Sequence, residues 1–217
     1  LSHPLNNVSG ELIHFEGPLQ MTLSTDKSLS ASRFFPIAER MGLNKELDLI
    51  STRLAIEGLT RDKKMSGLAI SLSYSALIDA SFMAKFKKIL GMDKVLSRLW
   101  VDLPELIVNQ QPSLVLELVD YLHQRKVRVG IKHLSDRMAE ISTIKTLGLD
   151  YVKLEPSFIR NIPSQKGAQE VIKRLVDLSH DLGLMVYAEG VETEEEIALV
   201  KLLNFDGMTG RAVALSK

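Results

Sequence analysis

Two carboxylates stand three residues apart where an apolar run meets the start of a helix. Glu189 closes the run that begins at Met185, and Glu192 lies in the short loop that follows. Thr193 and Glu196 then form a capping-box pattern, which is typical of the first turn of a helix. Two acids at the end of a strand are candidates for a catalytic pair. They would equally favour the positive end of the following helix without any chemistry, so the pair alone leaves both interpretations open.

The composition is that of an ordinary globular protein. Of 217 residues, 45% are hydrophobic and 25% are charged. The 27 basic and 27 acidic side chains give a formal net charge of zero, which disfavours a nucleic acid polymer as partner. The absence of cysteine excludes disulfides and thiolate metal sites and fits a reducing compartment. No apolar stretch reaches the roughly 18 to 20 residues that cross a bilayer, so direct membrane insertion of this chain is not expected.

Short apolar runs alternate with amphipathic segments along most of the chain. This alternation predicts parallel β/α architecture, with strands at 12–16, 68–73, 98–102, 127–131, 151–154, 185–189 and 207–209. Helices are predicted at 32–41, 45–59, 81–90, 112–125, 138–147, 167–182 and 193–203. About seven or eight such units favour an α/β fold of the closed (β/α)8, TIM-like barrel type, with an open doubly wound sheet as the alternative. No linker or repeat interrupts the pattern, so we expect a single domain over residues 1–217.

In both architectures ligands bind at the carboxyl ends of the strands, so the residues at those ends decide function. Polar side chains occur at almost every predicted strand end: Glu16, Ser71 and Ser73, Asp102 and Glu105, Lys132 and His133, Lys153 and Glu155, Glu189 and Glu192, and Thr209. The sequence therefore predicts one dense polar site at the mouth of the barrel.

Four longer motifs make the sequence similar to a known family. They are FPIAERMGL at 35–43, LGLDYVKL at 147–154, SFIR at 157–160 and AEGVET at 188–193. With these motifs the sequence resembles the EAL domain family, bacterial phosphodiesterases that open cyclic di-GMP, over nearly the whole chain. The signature triplet of the family is similar to Glu16-Gly17-Pro18, which departs from it at two of its three positions. The resemblance implies a barrel of the EAL type and a role in bacterial signalling.

The resemblance also implies which residues once formed an active site. Members of the family that cleave their substrate resemble two-metal hydrolases, in which carboxylates and an Asn hold Mg²⁺ or Mn²⁺. By position, Glu16 and Glu189 match two of the acids, and Asp102 stands where a Glu ligand is usual. Lys153 matches the active-site Lys of the family. We interpret these four residues as catalytic remnants and expect none of them to act in catalysis.

Three replacements argue against a metal site. Ser71 falls where the family has its Asn ligand, and Lys132 and His133 stand in place of its paired Asp ligands. An ammonium group cannot coordinate a metal and repels one placed beside it, and Mg²⁺ prefers oxygen to a ring nitrogen. If Lys132 points inward, its charge would compensate the remaining acids as the missing cation would. We therefore expect no metal cofactor and no phosphodiesterase activity.

Residues that contact the nucleotide in the family also differ here. Gln20 stands where the family has an Arg that reaches phosphate, and Thr209 stands where it has a Gln. Lys132, His133 and Arg211 could instead face an anionic ligand. With cyclic di-GMP as the ligand, the candidate binding set is Glu16, Leu19, Gln20, Ser71, Lys132, His133, Lys153, Glu189, Glu192, Thr209 and Arg211.

Three hypotheses about function remain open. In the first, the chain is a degenerate EAL domain, most similar to LapD-type receptors, that binds cyclic di-GMP without cutting it and relays the signal to a protein partner. In the second, it has lost the nucleotide and is a protein-interaction module, as in the CsrD-like regulators. The third is an active cyclic di-GMP phosphodiesterase with altered metal ligation, which Lys132 disfavours.

The resemblance also implies a cellular setting. Since the chain begins with Leu1 rather than Met, we expect a domain cut from a longer multidomain signalling protein. Its expected location is the cytoplasm, and in the LapD-type hypothesis the parent is an inner-membrane protein. EAL relatives often pair, so a homodimer is a further expectation, although no stretch of sequence identifies a dimer face.

Overall fold

Eight strands close into one barrel in the computed structural model, which describes residues 3–17, 19–22, 28–134, 141–160, 162 and 166–215. The order around the barrel is β1 (His3–Asn7), β10 (Gly207–Thr209), β9 (Met185–Ala188), β8 (Tyr151–Leu154), β7 (Arg128–Leu134), β6 (Leu99–Pro104), β5 (Leu68–Ser71) and β2 (Leu12–Glu16). A separate two-stranded sheet joins β3 (Gln20–Thr22) to β4 (Ser28–Ser30). The predicted TIM-like α/β barrel is confirmed, and the open doubly wound sheet is excluded.

Helices follow most of the strands. They are α1 (Ala31–Arg40), α2 (Asn44–Arg61), α3 (Tyr74–Leu77), α4 (Ala80–Leu90), α5 (Glu105–Gln110), α6 (Pro112–His123), α7 (Ile141–Thr146), α8 (Pro156–Ile159), α9 (Lys166–Asp181), α10 (Glu194–Leu202) and α11 (Arg211–Leu215), with a 3₁₀ helix at Lys94–Arg98. The predicted strands and helices are present with ends displaced by a few residues, except that part of the helix predicted at 138–147 falls on residues 135–140, outside the described part of the chain. None of the described helices is long and apolar enough to span a membrane.

The sequence pattern missed the first strand, which runs against its neighbours. β1 pairs antiparallel with both β2 and β10, whereas the other neighbouring strands of the barrel are parallel. This pairing places Leu5 opposite both His14 and Thr209. Pro4 and Asn6 interrupt the continuous apolar run that marks a buried parallel strand, so the segment gave no strand signal.

Successive side chains of a strand point to opposite faces, so every second residue points into the barrel. The inward side chains of neighbouring strands form two layers. The lower one, here called the aromatic layer, consists of buried residues with His14 stacked among them: Leu5, Ala69, Trp100, Tyr151 and Tyr187. Two positions further along five of the same strands come the residues here called the charged layer: Glu16, Ser71, Asp102, Lys153 and Glu189. The aromatic layer therefore forms the floor on which the polar site stands.

A glycine makes room for the aromatic layer. Gly130 of β7 pairs with Tyr151 of β8, and a Cβ atom built on Gly130 would lie 2.3 Å from the Tyr151 ring. No side chain fits at that distance, so a glycine at position 130 leaves the room that the ring needs inside the barrel. Trp100 is 4% exposed and belongs to the same packing, as its apolar surroundings in the sequence predict.

Candidate functional site

A cavity of about 990 Å³ opens at the carboxyl ends of the strands, beside the charged layer. Eight residues of the candidate set border it: Glu16, Leu19, Ser71, Lys132, His133, Glu189, Thr209 and Arg211. These residues are far apart in the sequence, and closure of the barrel brings them together. Of the twelve polar residues predicted at strand ends, six border this cavity, and Ser73, Asp102, Glu105, Lys153, Glu155 and Glu192 do not.

Lys153 is the buried cation of the charged layer, with no exposed surface. Its Nζ atom donates hydrogen bonds to Glu16 Oε1 at 2.6 Å and to Asp102 Oδ2 at 2.8 Å. The hydroxyl of Tyr151 donates a further bond of 2.8 Å to Asp102 Oδ1. Both acids are thereby tied to a cation that belongs to the protein itself.

The ionisation of this group follows from the same contacts. Burial alone would lower the pKa of Lys153, but the charges of Asp102 and Glu16 outweigh it and raise the pKa. Burial alone would raise the pKa of Glu16, but the Lys153 ammonium and the hydrogen bond from His14 lower it. The compensating cation is therefore Lys153 and not Lys132, contrary to the expectation from the sequence. The difference arises because Lys132 stands at the border of the cavity, whereas Lys153 lies between the two acids.

His14 supports Glu16 from the aromatic layer. Its Nε2 atom lies 2.8 Å from Glu16 Oε1, and its ring centroid lies 4.1 Å from that of Trp100. Burial lowers the pKa of His14, although the hydrogen bond to Glu16 opposes this effect. The neutral ring donates its Nε2 proton to the carboxylate, which fixes the tautomer. Two donors, His14 and Lys153, thus hold the same oxygen of Glu16.

Glu189 has a different environment from the other two acids. Its Oε2 atom is buried and accepts no hydrogen bond within the described part of the chain. Burial raises the pKa of Glu189 to about 8, so this carboxyl group is mainly protonated at neutral pH. His133 Nε2 lies 3.4 Å from it, and burial together with the charge of Lys132 lowers the pKa of His133. The two side chains therefore form a mainly neutral pair and not an ion pair.

Helix α2 supplies another wall of the cavity. Asp48 and Ser51 of this helix both border the cavity. Asp48 Oδ2 accepts hydrogen bonds of 2.7 Å from the backbone N–H and from the hydroxyl of Ser73. Burial raises the pKa of Asp48 to about 6, although these bonds and the charge of Lys132 oppose it. Two carboxyl groups of the cavity lining, Asp48 and Glu189, are thus readily protonated, whereas Glu16 stays ionised beside Lys153.

Comparison with known protein families decides what kind of barrel this is. The family model described as EAL domain matches residues 3–216. The chain belongs to the EAL domain family. The match covers the whole barrel and every residue of the candidate set, so the family assignment from the sequence motifs is confirmed.

Relatives of this EAL domain differ in what their names describe. The cyclic di-GMP phosphodiesterase PdeF of Escherichia coli (strain K12) is 24% identical over 216 residues, which is 97% of this chain and 28% of that protein. The RNase E specificity factor CsrD of the same organism is 25% identical over 173 residues, 79% of this chain and 27% of that protein. The structure of Vibrio cholerae LapD S helix-GGDEF-EAL bound to c-di-GMP has a TM-score of 0.88 at 17% identity and covers 98% of this chain and 52% of that chain. The chain spans less than a third of the length of the two curated relatives.

The mouth of this EAL domain does not fit the pair of metal ions that the family implies. Ser71 borders the cavity where the family has its Asn ligand, and it offers a hydroxyl in place of an amide oxygen. Lys132 and His133 occupy the end of β7, and an ammonium group cannot coordinate a cation. Among the residues that the structure describes, no three His, Asp or Glu side chains are grouped so that they could hold a metal ion. No reaction step is therefore assigned to a metal at this site.

Two residues of the candidate set are engaged elsewhere. The side chain of Glu192 is exposed and accepts a hydrogen bond of 3.1 Å from Arg160 Nη2, so it is not among the residues that border the cavity. Thr209 borders the cavity, but its hydroxyl donates to the backbone oxygen of Pro4 at 2.8 Å. Gln20 belongs to β3, and its side chain lies outside the described part of the chain.

Sequence reasoning missed four side chains of the site: His14, Tyr151, Asp48 and Ser51. His14 stands two positions before Glu16 on β2, and Tyr151 stands two positions before Lys153 on β8. Because residues i and i+2 of a strand share a face, this spacing was a usable signal. The other two lie on α2, where polar residues at helical spacing are typical of a solvent-facing side and gave no signal.

Proposed function

We propose that this EAL domain binds cyclic di-GMP as a regulatory receptor and does not hydrolyse it. The observation that carries the proposal is the presence of Lys132 and His133 at the border of the cavity, at the end of β7. A metal pair needs charged oxygen ligands, and an ammonium group repels a divalent cation. The same ammonium group attracts the phosphates of a dianionic ligand.

Several features of the cavity favour an anion of this size. Glu189 adds little negative charge because it is mainly protonated, and Arg211 adds a cation at the border. The volume of about 990 Å³ lies at the upper end of the range of small-molecule sites, as a dinucleotide requires. The LapD structure of similar fold is bound to c-di-GMP, which supports the same ligand class for this chain.

The hydroxyl of Thr209 favours a second candidate function, a protein-interaction module without nucleotide. Thr209 stands where the family has a Gln that contacts the nucleotide, and its hydroxyl is directed to Pro4. A site that has lost this contact and the phosphate-binding Arg at position 20 has fewer groups with which to recognise a base or a phosphate. The similarity to CsrD is consistent with this alternative.

Calorimetric titration of the 217-residue chain with cyclic di-GMP separates the two candidates. If the chain is a receptor, titration with cyclic di-GMP should give a saturable heat of binding without added metal. Replacing a charge-assisted contact costs about 1.5 to 3 kcal/mol, so Lys132→Gln should weaken binding by roughly tenfold or more. Lys85→Gln is the matched control, because Lys85 is exposed on α4 and does not border the cavity. No heat at about 0.5 mM ligand would favour the interaction module, since such weak affinity is below that of a signalling receptor.

A hydrolysis assay tests the second half of the proposal. The chain is incubated with cyclic di-GMP and either Mg²⁺ or Mn²⁺, and the linear product is measured by chromatography. We expect no product above a control without protein. Turnover on the order of 1 per second or faster would overturn the inactive assignment and restore the phosphodiesterase hypothesis.

The cellular setting is part of the same proposal. Because the chain spans less than a third of its curated relatives, we infer that further domains supply the signal input and the output. A cytoplasmic position follows from the ligand class, and attachment to an inner-membrane protein would resemble LapD. Fractionation of cells that express the parent protein, with an antibody against this domain, tests both points.

A further inference from the structure

Basic residues are concentrated in one region of the surface, although the net charge of the chain is zero. Helices α2, α4 and α6 end beside one another, because the strands that follow them, β5, β6 and β7, are neighbours in the barrel. The chain segments around these helix ends, residues 61–66, 87–94 and 123–128, contain nine basic and two acidic residues. The surface that these three segments form is here called the basic face.

Hydrogen bonds between neighbouring segments make the basic face continuous. Arg98, at the end of the 3₁₀ helix, donates from Nη1 to the backbone oxygens of Asp62 at 2.9 Å and of Met65 at 2.8 Å. These bonds fix the segment after α2 beside the start of β6. Arg125 Nε donates to the backbone oxygen of Gly91 at 2.9 Å, which fixes the end of α6 beside the end of α4. The three segments therefore form one surface and not three separate loops.

The positive charge of the basic face is not neutralised within the described residues. Eight of its nine basic side chains are exposed, and none of the nine forms an ion pair with an acid in the part of the chain that the structure describes. The cations of Lys87 and Arg125 even share one ring, since they lie 4.8 Å and 3.6 Å from the centroid of Tyr121. Like charges this close repel each other, and an external anion relieves the repulsion.

Helix dipoles alone do not explain this excess of positive charge. Basic side chains in the last turn of a helix are favoured by the negative end of its dipole. Helices α7, α9 and α10 end on the same side of the barrel, before β8, β9 and β10. Yet the segments at their ends, residues 145–150, 180–184 and 201–206, contain two basic and three acidic residues. A dipole effect would enrich both halves of this side, whereas only the basic face is enriched.

We propose that the basic face binds the surface of a bilayer that contains anionic phospholipids. Each Lys or Arg held near such a surface raises the affinity for it roughly fivefold, so several of them together give measurable binding. Met92 favours a bilayer over a soluble acidic partner. It is 79% exposed in the loop after α4, between Lys88 and Lys94 in the sequence. An apolar side chain placed among cations can enter the boundary between headgroups and acyl chains while the cations stay at the headgroups.

The basic face and the cavity lie at opposite ends of the barrel. The cavity opens at the carboxyl ends of the strands, whereas the basic face surrounds the amino ends of β5, β6 and β7. A bilayer bound at the basic face would therefore leave the cavity accessible. The proposal does not depend on cyclic di-GMP, so it can fail or succeed separately from the proposed function.

Co-sedimentation of the 217-residue chain with vesicles, without nucleotide, is the first test. Vesicles of phosphatidylcholine with about 30% phosphatidylglycerol should bind half of the protein at or below about 1 mM lipid in about 0.1 M salt. Vesicles of phosphatidylcholine alone should bind none, and about 0.5 M salt should release the protein because it screens the charges. No binding at about 5 mM anionic lipid, or equal binding to neutral vesicles, overturns the proposal.

Charge removal tests the location of the binding surface. Lys88→Gln/Lys94→Gln removes two exposed cations of the basic face and should weaken binding to the anionic vesicles by about twentyfold or more. The matched control Lys145→Gln/Lys201→Gln changes the net charge equally, at exposed lysines on the other half of the same side of the barrel. The control should stay within about threefold of the wild type. Equal weakening by the two double variants would place the binding outside the basic face and reject the proposal.

Met92 distinguishes a bilayer from a soluble acidic partner. Met92→Ser should weaken binding to the anionic vesicles by about fivefold or more, because the apolar side chain no longer leaves water. Leu202→Ser is the matched control, since this leucine is 73% exposed on α10, outside the basic face, and the variant should bind as the wild type does. Soluble polyglutamate is titrated in parallel as a model of an acidic protein segment. Polyglutamate that binds as tightly as the vesicles, or a Met92→Ser variant that binds vesicles at wild-type strength, overturns the bilayer as the occupant.

Discussion

Removal of the buried cation gives the sharpest test of the charged layer. Lys153→Met deletes the Nζ atom that donates to Glu16 at 2.6 Å and to Asp102 at 2.8 Å. Methionine has a similar length and can fill the space without a charge, so the variant isolates the ionic contacts. Asp102 is only 2% exposed, and it would then be a buried carboxylate held by the hydroxyl of Tyr151.

The expected loss is large on the scale of the stability of a domain. Removing one partner of a buried ion pair costs about 3 to 5 kcal/mol, because the remaining charge is left uncompensated. A domain unfolds with a total of only about 5 to 15 kcal/mol. For a chain of this length each 1 kcal/mol shifts the melting temperature by about 2 to 4 °C, so the variant should melt about 6 to 20 °C lower.

The assay is urea unfolding followed by circular dichroism, together with a calorimetric melting scan. The matched control is Lys173→Met, which removes an exposed pair with Asp177 within one helix and should move the melting temperature by less than about 2 °C. Adding Asp102→Asn to Lys153→Met removes the uncompensated charge and should recover about 1 to 3 kcal/mol of the loss. The slope of the unfolding free energy against urea should stay constant in all variants.

A loss of less than about 1 kcal/mol for Lys153→Met, or a loss no larger than that of Lys173→Met, would contradict the role of Lys153 as the cation of the charged layer. A double variant Lys153→Met/Asp102→Asn that is no more stable than Lys153→Met would contradict this role as well. Either result would mean that water or a rearranged side chain compensates the acids, and that Lys153 does not serve as their cation.

Three other expectations concern pH, backbone and capping. The pKa of Glu189 is raised from 4.5 to about 8 in the folded protein, so the unfolding free energy should fall as the pH rises from about 4.5 to about 8. Urea titrations at pH 5 and at pH 8 should show a smaller fall for Glu189→Gln than for the wild type. Gly130→Ala should yield little folded protein, since its Cβ atom would lie 2.3 Å from the ring of Tyr151. Its control Gly58→Ala, in open space within α2, should raise the unfolding free energy by about 0.5 to 1 kcal/mol, and a loss there would contradict the argument. Thr193→Ala removes a capping side chain and should cost about 1 kcal/mol in the same unfolding assay; an unchanged value would show that the cap contributes nothing.

The residues at the mouth of the barrel were predictable because the carboxyl ends of all parallel strands of a barrel lie at the same end. Once the alternation of strands and helices indicated a barrel, Glu16, Asp102, Lys153 and Glu189 had to converge, and they do. The partners of each residue were not predictable in the same way. Lys132 and Lys153 both lie near the carboxyl ends of their strands, and only the register of the barrel shows which ammonium group lies between the acids.

Other parts of the site depend on packing that periodicity does not report. β1 was missed because Pro4 and Asn6 break the apolar run that would indicate a strand, and because β1 pairs antiparallel with both of its neighbours. Asp48 was missed because its helix buries polar residues and exposes apolar ones, which inverts the usual pattern. The protonation of Glu189 required the burial of its carboxyl group, a property of the closed barrel and not of the local sequence.

Some residues of the cavity border make no contact with the aromatic layer that supports the site, so they can be exchanged while that layer stays constant. A substitution such as Ser71→Asn or Lys132→Asp changes a residue above the aromatic layer and leaves the contacts of Trp100, Tyr151 and Tyr187 in place. Lys153 and Asp102, in contrast, serve stability as well, because they form a buried ion pair to which the hydroxyl of Tyr151 also donates. For protein design, these border positions are the part of the barrel at which a ligand site can be exchanged one residue at a time.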